Sequence, residues 1–214
     1  CRFQLHDYRR GLAHVHKGLG HLLLARGSPA RARLHYQKEE RLFSEQGLRV
    51  EAANCQRSPG LIMCRQRNYQ TATALLTAAM QTLREAGDQR GVADCLQFLA
   101  NVELDQETAE LSQAEHYAQE ANAGYNRLQD ARGQAQCKSL QARLQIKHGK
   151  KSDAIRLYRE ALALFAQKDA RRSMADVYAA LASLCESPDD RRRAREEANQ
   201  LYNALELPRL IIQA

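Results

Sequence analysis

Apolar residues in this chain recur with helical rather than strand spacing, and the blocks they form come in pairs. Cys55, Pro59, Ile62 and Met63 share one helical face; Asn68-Tyr69 interrupts; Ala72, Leu75, Leu76, Ala79 and Met80 then share another. Further on, Cys137, Leu140, Leu144 and Ile146 precede a break at Gly149 and a second face of Ala154, Leu157, Tyr158, Ala161 and Leu162. Val177, Ala180, Leu181 and Leu184 precede a break at Pro188-Asp189-Asp190 and a face of Ala194, Ala198, Leu201, Tyr202 and Leu205. Each pair predicts two amphipathic helices joined by a short turn.

Small residues set the period. Gly20, Gly60, Ala100, Ala142 and Ala182 form one series, and Ala32, Ala72, Ala114, Ala154 and Ala194 a second. The first advances in steps of 40, 40, 42 and 40 residues and the second in steps of 40, 42, 40 and 40, the spacing of a repeat array. A Gly or Ala is expected where the two helices of a pair cross most closely, since a Leu there would overpack at a cost of about 1–3 kcal/mol. The punctuation agrees. Gly27, Ser28 and Pro29 read as a helix end, a cap and a first turn, and Gly149 with Ser152, Gly47 and Gly87 repeat that logic. The single 42-residue step is assigned to two extra residues in the turn from Asp105 to Leu111.

The expected fold is all-α: five helix pairs, about ten helices, in one domain spanning 1–214. The repeats run over 8–47, 48–87, 88–129, 130–169 and 170–207, with a tail at 208–214. Pro208 is expected to stop the last helix, leaving Leu210-Ile211-Ile212 as an apolar triplet to fold back or dock on another element. The chain starts at Cys1 rather than Met and reads as an excerpt of a longer polypeptide, with other domains of a parent chain expected.

Six cysteines bear on the compartment. Cys55, Cys95 and Cys137 fall at one repeat position, which Val15 and Val177 fill elsewhere; a site that takes either residue is expected to be small, apolar and buried. No CxxC pair is present, so reduced thiols and a cytoplasmic location are expected. No apolar run approaches the roughly 18 residues of a membrane span.

The residues now resemble a family. Leu19-Gly20, Gly27, Ala32 and Tyr36 match the tetratricopeptide repeat, as do Gly60, Tyr69, Ala72 and Ala79; Leu99-Ala100, Ala114 and Ala121; Ala142, Gly149, Ala154, Tyr158 and Ala161; and Leu181-Ala182 and Ala194. The 40-residue period is similar to the longer-helix variant of cargo adaptors, polarity scaffolds, peptide-sensing regulators and the sensor arrays of signalling ATPases. The resemblance implies a right-handed α-solenoid with first helices lining a concave groove, and a peptide or protein partner held there.

Carried onto this chain, the groove positions of the family are His14, Lys17 and His21; Asn54, Arg57, Leu61 and Arg65; Asp94, Gln97 and Asn101; Gln136, Ser139, Arg143 and Lys147; and Asp176 and Ser183. Arg57, Arg65 and Arg143 offer two-donor forks for an acidic peptide or a terminal carboxylate. Asn54, Gln97, Asn101 and Gln136 suit the backbone amides of an extended segment. The chaperone-tail subclass of the family expects Asn where His21 stands, which argues against that partner.

Other chemistries find less support. His14 and His21 share a face, but His16 points elsewhere and no third ligand joins them, so no metal is expected. Gly18-Leu19-Gly20 lacks a third glycine and reads as mid-helix; no phosphate-binding loop, HExxH or GxSxG occurs, and neither enzyme activity nor a cofactor is expected. Net charge is +7, with clusters at Arg9-Arg10, Arg31/Arg33, Arg171-Arg172 and Arg191 to Arg195. Few aromatics are present to stack bases, and the arginines alternate with acids, as in Arg191-Arg192-Arg193 before Glu196-Glu197; both facts argue against nucleic acid. Glu39-Glu40 and Glu196-Glu197 are expected on exposed helix faces. The function expected is a non-enzymatic interaction module. The alternatives are a sensor domain of a larger signalling ATPase or transcription regulator, and a nucleic-acid-binding solenoid.

Overall fold

The structure, a computed structural model, describes residues 2–106 and 111–205, and every element among them is a helix. The chain divides into two compact units, Cys1–Glu110 and Leu111–Ala214. Unit 1 holds α1 (Arg2–Ala25), α2 (Pro29–Ser44), α3 (Arg49–Cys55), α4 (Arg57–Arg65), α5 (Tyr69–Glu85) and α6 (Gln89–Asp105). Unit 2 holds α7 (Leu111–Arg127), α8 (Ala131–Lys147), α9 (Lys151–Ala166), α10 (Arg171–Leu184) and α11 (Pro188–Ala204). In each unit, helices that follow one another along the chain pack together as hairpins, the repeat-like arrangement expected of an α-solenoid.

The small-residue series lie at the packing surfaces. Ala32, Ala72, Ala114 and Ala154 are fully buried, and Ala194 nearly so. The reason for Gly20 and Gly60 differs from a simple crossing of backbones. A Cβ on Gly20 would lie 2.6 Å from Tyr36 Cε1, and one on Gly60 3.0 Å from Leu76 Cγ. A large side chain of the second helix occupies the room that the glycine leaves. A third series with the steps of the Gly20 series, Ala13, Ala53, Ala93, Ala135 and Ala175, is buried throughout.

Two expectations change here. The first helix of the second repeat is not continuous: Gln56 separates α3 from α4. Pro59 causes this, because it has no N–H to donate to the Cys55 carbonyl four residues back and its ring crowds that carbonyl. Gln56 instead donates its N–H to Ala53 O, three residues back, at 3.1 Å. Ten expected helices thus become eleven segments among the described residues. The second change concerns Val15. Cys55, Cys95, Cys137 and Val177 are buried, but Val15 is 55% exposed. It lies in the opening helix pair, and Ala13, two residues earlier on α1, makes the core contact there with Phe43 and Cys55.

Turn geometry repeats. At seven described turns a residue two or three positions past the helix end has positive φ: Gly27, Gly47, Gly87 and Gly149, and the non-glycines Arg67, Gln129 and Asp169. The next N–H reaches back to the carbonyl five residues earlier, as in Ser28 N to Leu23 O (2.8 Å) and Asp130 N to Tyr125 O (3.0 Å). Side chains then cap the following helix: Asn68 Oδ1 accepts from Thr71 N, Asp88 Oδ1 from Gly91 N, and Asp130 Oδ1 from Arg132 and Gly133 N. Pro29 opens α2 as expected, but Ser28 makes no side-chain cap bond. Ser152 is inside α9, whose cap position is Lys150. Pro188 opens α11 instead of breaking before it, and Ser187 Oγ accepts from Asp190 N. The turn after Asp105 at 107–110, and the tail with Pro208 and Leu210-Ile211-Ile212, lie outside the described residues.

Candidate functional site in the first unit

Five of the residues expected in the groove line one cleft of about 270 Å³ in unit 1. His14 and Lys17 come from α1, Asn54 from α3, Arg57 from α4 and Asp94 from α6, the first helices of three successive repeats. Their polar contacts are largely with one another. The Arg57 guanidinium pairs with the Asp94 carboxylate, each side chain 20% exposed, and its Nε donates to Asn54 O at 3.2 Å. Asn54 Nδ2 donates to Asp88 Oδ2 at 3.0 Å, so one carboxylate caps α6 and fixes Asn54. Arg57 therefore serves first as a strut between α4 and α6, with its charge already met inside the unit.

Glu39 forms part of this cleft and is the residue that sequence reasoning misplaced. It is not on an exposed face: it is 2% exposed, the sole buried charged side chain among the described residues. The signal was present in the period. Glu39 stands one repeat before Ala79, and Ala121 and Ala161 follow in the same register, all buried. The neutral Cys55 thiol lies beside it and donates to Glu51 O at 3.0 Å, while Lys17, His14 and Arg57 act on the Glu39 carboxylate as charges. Burial pushes its carboxyl above the usual range, and these neighbours only partly offset that. The same burial, together with Glu39, pushes the Cys55 thiol far up. Glu40 is half-buried and accepts a hydrogen bond from Gln56 Nε2.

The other expected residues are elsewhere. His21 Nδ1 is 3.0 Å from the Tyr36 hydroxyl, a bond across the α1–α2 hairpin. His16, read as pointing away, makes a second such bond, its Nδ1 2.9 Å from that of His35. Burial lowers the pKa of both His16 and His21, with His35 and Lys38 adding to the effect on His16, and Lys17 to that on His21. Arg65 is exposed at the end of α4. Asn101 Nδ2 donates to Gln97 O at 2.8 Å within α6. In unit 2, Gln136 and Arg143 are half-buried on α8 and Lys147 is exposed in its last turn. Ser139 and Ser183 donate to carbonyls of their own helices, and Asp176 accepts the Tyr202 hydroxyl at 2.7 Å. Of the arginine cluster, Arg192 reaches both Asp189 and Glu196, the expected helix-face pairing.

A wider hollow of about 930 Å³ runs along α5, with walls of Thr73, Ala74, Thr77 and Ala78 and one carboxylate, Glu103. Tyr69, Gln70, Gln81 and Gln106 complete its lining, with Gln106 donating to Glu103 and Gln81 to Glu85. Among the described residues no three His, Cys, Asp or Glu side chains converge as metal ligands, and no helix is long and apolar enough to cross a membrane. The five described cysteines are unbridged.

No protein-family model matches the chain, and no curated protein is significantly similar to it. Among solved structures, the crystal structure of BtubC (BKLC) from P. vanneervenii is similar, with a TM-score of 0.59 over 98% of this chain and 96% of that one. Sequence identity is 14%, so the likeness is one of fold alone.

Proposed function

We propose that this chain is a tetratricopeptide-like repeat protein of the long-period kind, wound as a right-handed α-solenoid, and that it is a non-enzymatic module holding a peptide or protein segment. One observation carries the reading. The cleft of unit 1 collects polar side chains from the first helices of three repeats, the face that such a module presents to a partner. The buried Ala13, Ala53, Ala93, Ala135 and Ala175 series supports the repeat assignment independently. The unbridged cysteines fit the reducing, cytoplasmic setting that the reading assumes. Because Arg57 is paired with Asp94, recognition of a purely acidic segment is not what this cleft favours.

The test is selection of peptides from a random phage-displayed library on the protein, followed by calorimetry with wild type and with a His14→Ala/Lys17→Ala double variant. The expected result is a peptide whose affinity falls at least tenfold in the variant. No selected peptide, or one bound equally by both proteins, would overturn the reading.

A further inference from the structure

We infer that the cleft of unit 1 is a specificity pocket for one cationic side chain, a lysine or arginine of the bound segment, with the Glu39 carboxylate at its floor as the counter-charge. The inference rests on the peptide-binding reading above and adds the chemistry that the cleft selects.

The position of Glu39 is the first argument. Three other repeats place Ala79, Ala121 and Ala161 at this point of the second helix and the last places Leu201, so the position is apolar everywhere but here. A carboxylate at 2% exposure costs desolvation that an alanine does not. Such a cost without a structural return is the mark of a group kept for a ligand.

Charge is the second. The other carboxylates of the cleft have partners: Asp94 with Arg57, Asp88 with Asn54 and the start of α6, and Glu51 with Arg10 at 3.8 Å. Glu39 has the neutral Cys55 thiol beside it, and Lys17, His14 and Arg57 act on its charge without outweighing the cost of burial. A cation seated against it would supply the ion pair that a buried carboxylate requires. Metal ions do not suit the place, because no set of three ligating side chains converges there among the described residues.

Size and wall chemistry are the third. At about 270 Å³ the cleft falls just below the roughly 300–1,000 Å³ of small-molecule sites and suits one long side chain. The exposed His14 ring, which meets the buried Phe43 ring edge-on at a centroid distance of 5.8 Å, gives the alkyl stem an aromatic surface to lie along, while the charged head reaches the carboxylate.

The experiment uses fluorescence anisotropy with labelled octapeptide pools, each carrying Lys, Arg, Glu, Leu or Ala fixed at one central position in a random background. Wild type, Glu39→Ala and Glu39→Gln are compared, with thermal unfolding recorded for each. The Lys and Arg pools should bind wild type at least tenfold more tightly than the Ala and Glu pools. Both variants should lose that preference while their melting temperatures hold or rise. Equal binding of all pools by wild type, or a cationic preference that survives in Glu39→Gln, overturns the inference and leaves the peptide-binding reading standing. Absence of binding by every pool overturns both.

Discussion

Gly133 faces the ring of Tyr125 so closely that a Cβ would stand 2.1 Å from Tyr125 Cδ1. The ring is fully buried and cannot swing aside cheaply. Gly133→Ala should therefore destabilise the α7–α8 hairpin by about 1–3 kcal/mol. Gly11→Ala and Gly18→Ala on α1 meet nothing within 4 Å and should stabilise by up to about 1 kcal/mol through helix propensity. Urea titration of the three variants separates these outcomes.

Glu39→Ala should raise stability at neutral pH by about 1 kcal/mol, since a partly compensated buried carboxylate is replaced by the residue of the neighbouring repeats. The pH dependence has a definite sign. The folded-state pKa lies above 4.5, so the carboxylate costs nothing while both states are protonated, and the cost grows as pH rises through and beyond 4.5. The gap in melting temperature between variant and wild type should be small near pH 4 and widest near pH 7. A constant gap across that range would rule out charge burial as its cause.

His16 and His21 predict the opposite behaviour in acid. Both are held below 6.5 in the folded state, so the unfolded chain takes up protons first as pH falls. The stability they contribute is complete above pH 6.5 and is lost as pH drops below it. The urea midpoint should therefore fall between pH 7 and pH 5, and fall less in His16→Gln/His21→Gln. An identical slope in both proteins would remove these histidines from the account.

Thiol labelling at pH 8 should mark Cys185 first among the described cysteines, because it is only half-buried. Cys95, whose thiol is pushed up to about 12 by burial, and Cys55, pushed further, should react only on unfolding. Peptide mapping by mass spectrometry reads the order directly.

Gln129 and Gly87 occupy equivalent turns one repeat apart, with φ of 51° and 74°. Only a glycine adopts that conformation without Cβ strain. Gln129→Gly should gain up to about 1 kcal/mol and Gly87→Gln lose a similar amount, measured by thermal unfolding.

Helix pairs, their period and the buried markers were legible because close packing admits few residue types at a crossing and the same crossing recurs. The break at Gln56 was legible too, through Pro59, but the helical spacing of Cys55, Ile62 and Met63 spoke for continuity. Val15 failed because a repeat position defines an environment only where neighbouring helices cover it, and here Ala13 makes the contact instead. In the site, position on the first helices named His14, Lys17, Asn54, Arg57 and Asp94, and these five line one cleft. It could not show that Arg57 spends its charge on Asp94, since that pairing joins residues 37 apart on different helices. Glu39 was missed because a glutamate beside another glutamate reads as solvated, and only comparison with Ala79, Ala121 and Ala161 exposes the substitution.

Within each unit, every substantial contact joins a helix to the next or next but one along the chain. A chain wired in this way closes only short loops as it folds, so its conformational search is brief and its folding should be fast for its length. It also lacks a distant clasp that would make each unit melt in a single step. Amide exchange should be staggered, helix by helix, with α1 opening on its own terms while α5 remains protected. A ligand that bridges α1, α4 and α6 would then act as the missing clasp, and its arrival would be seen as slowed exchange in α1 well beyond the residues it touches.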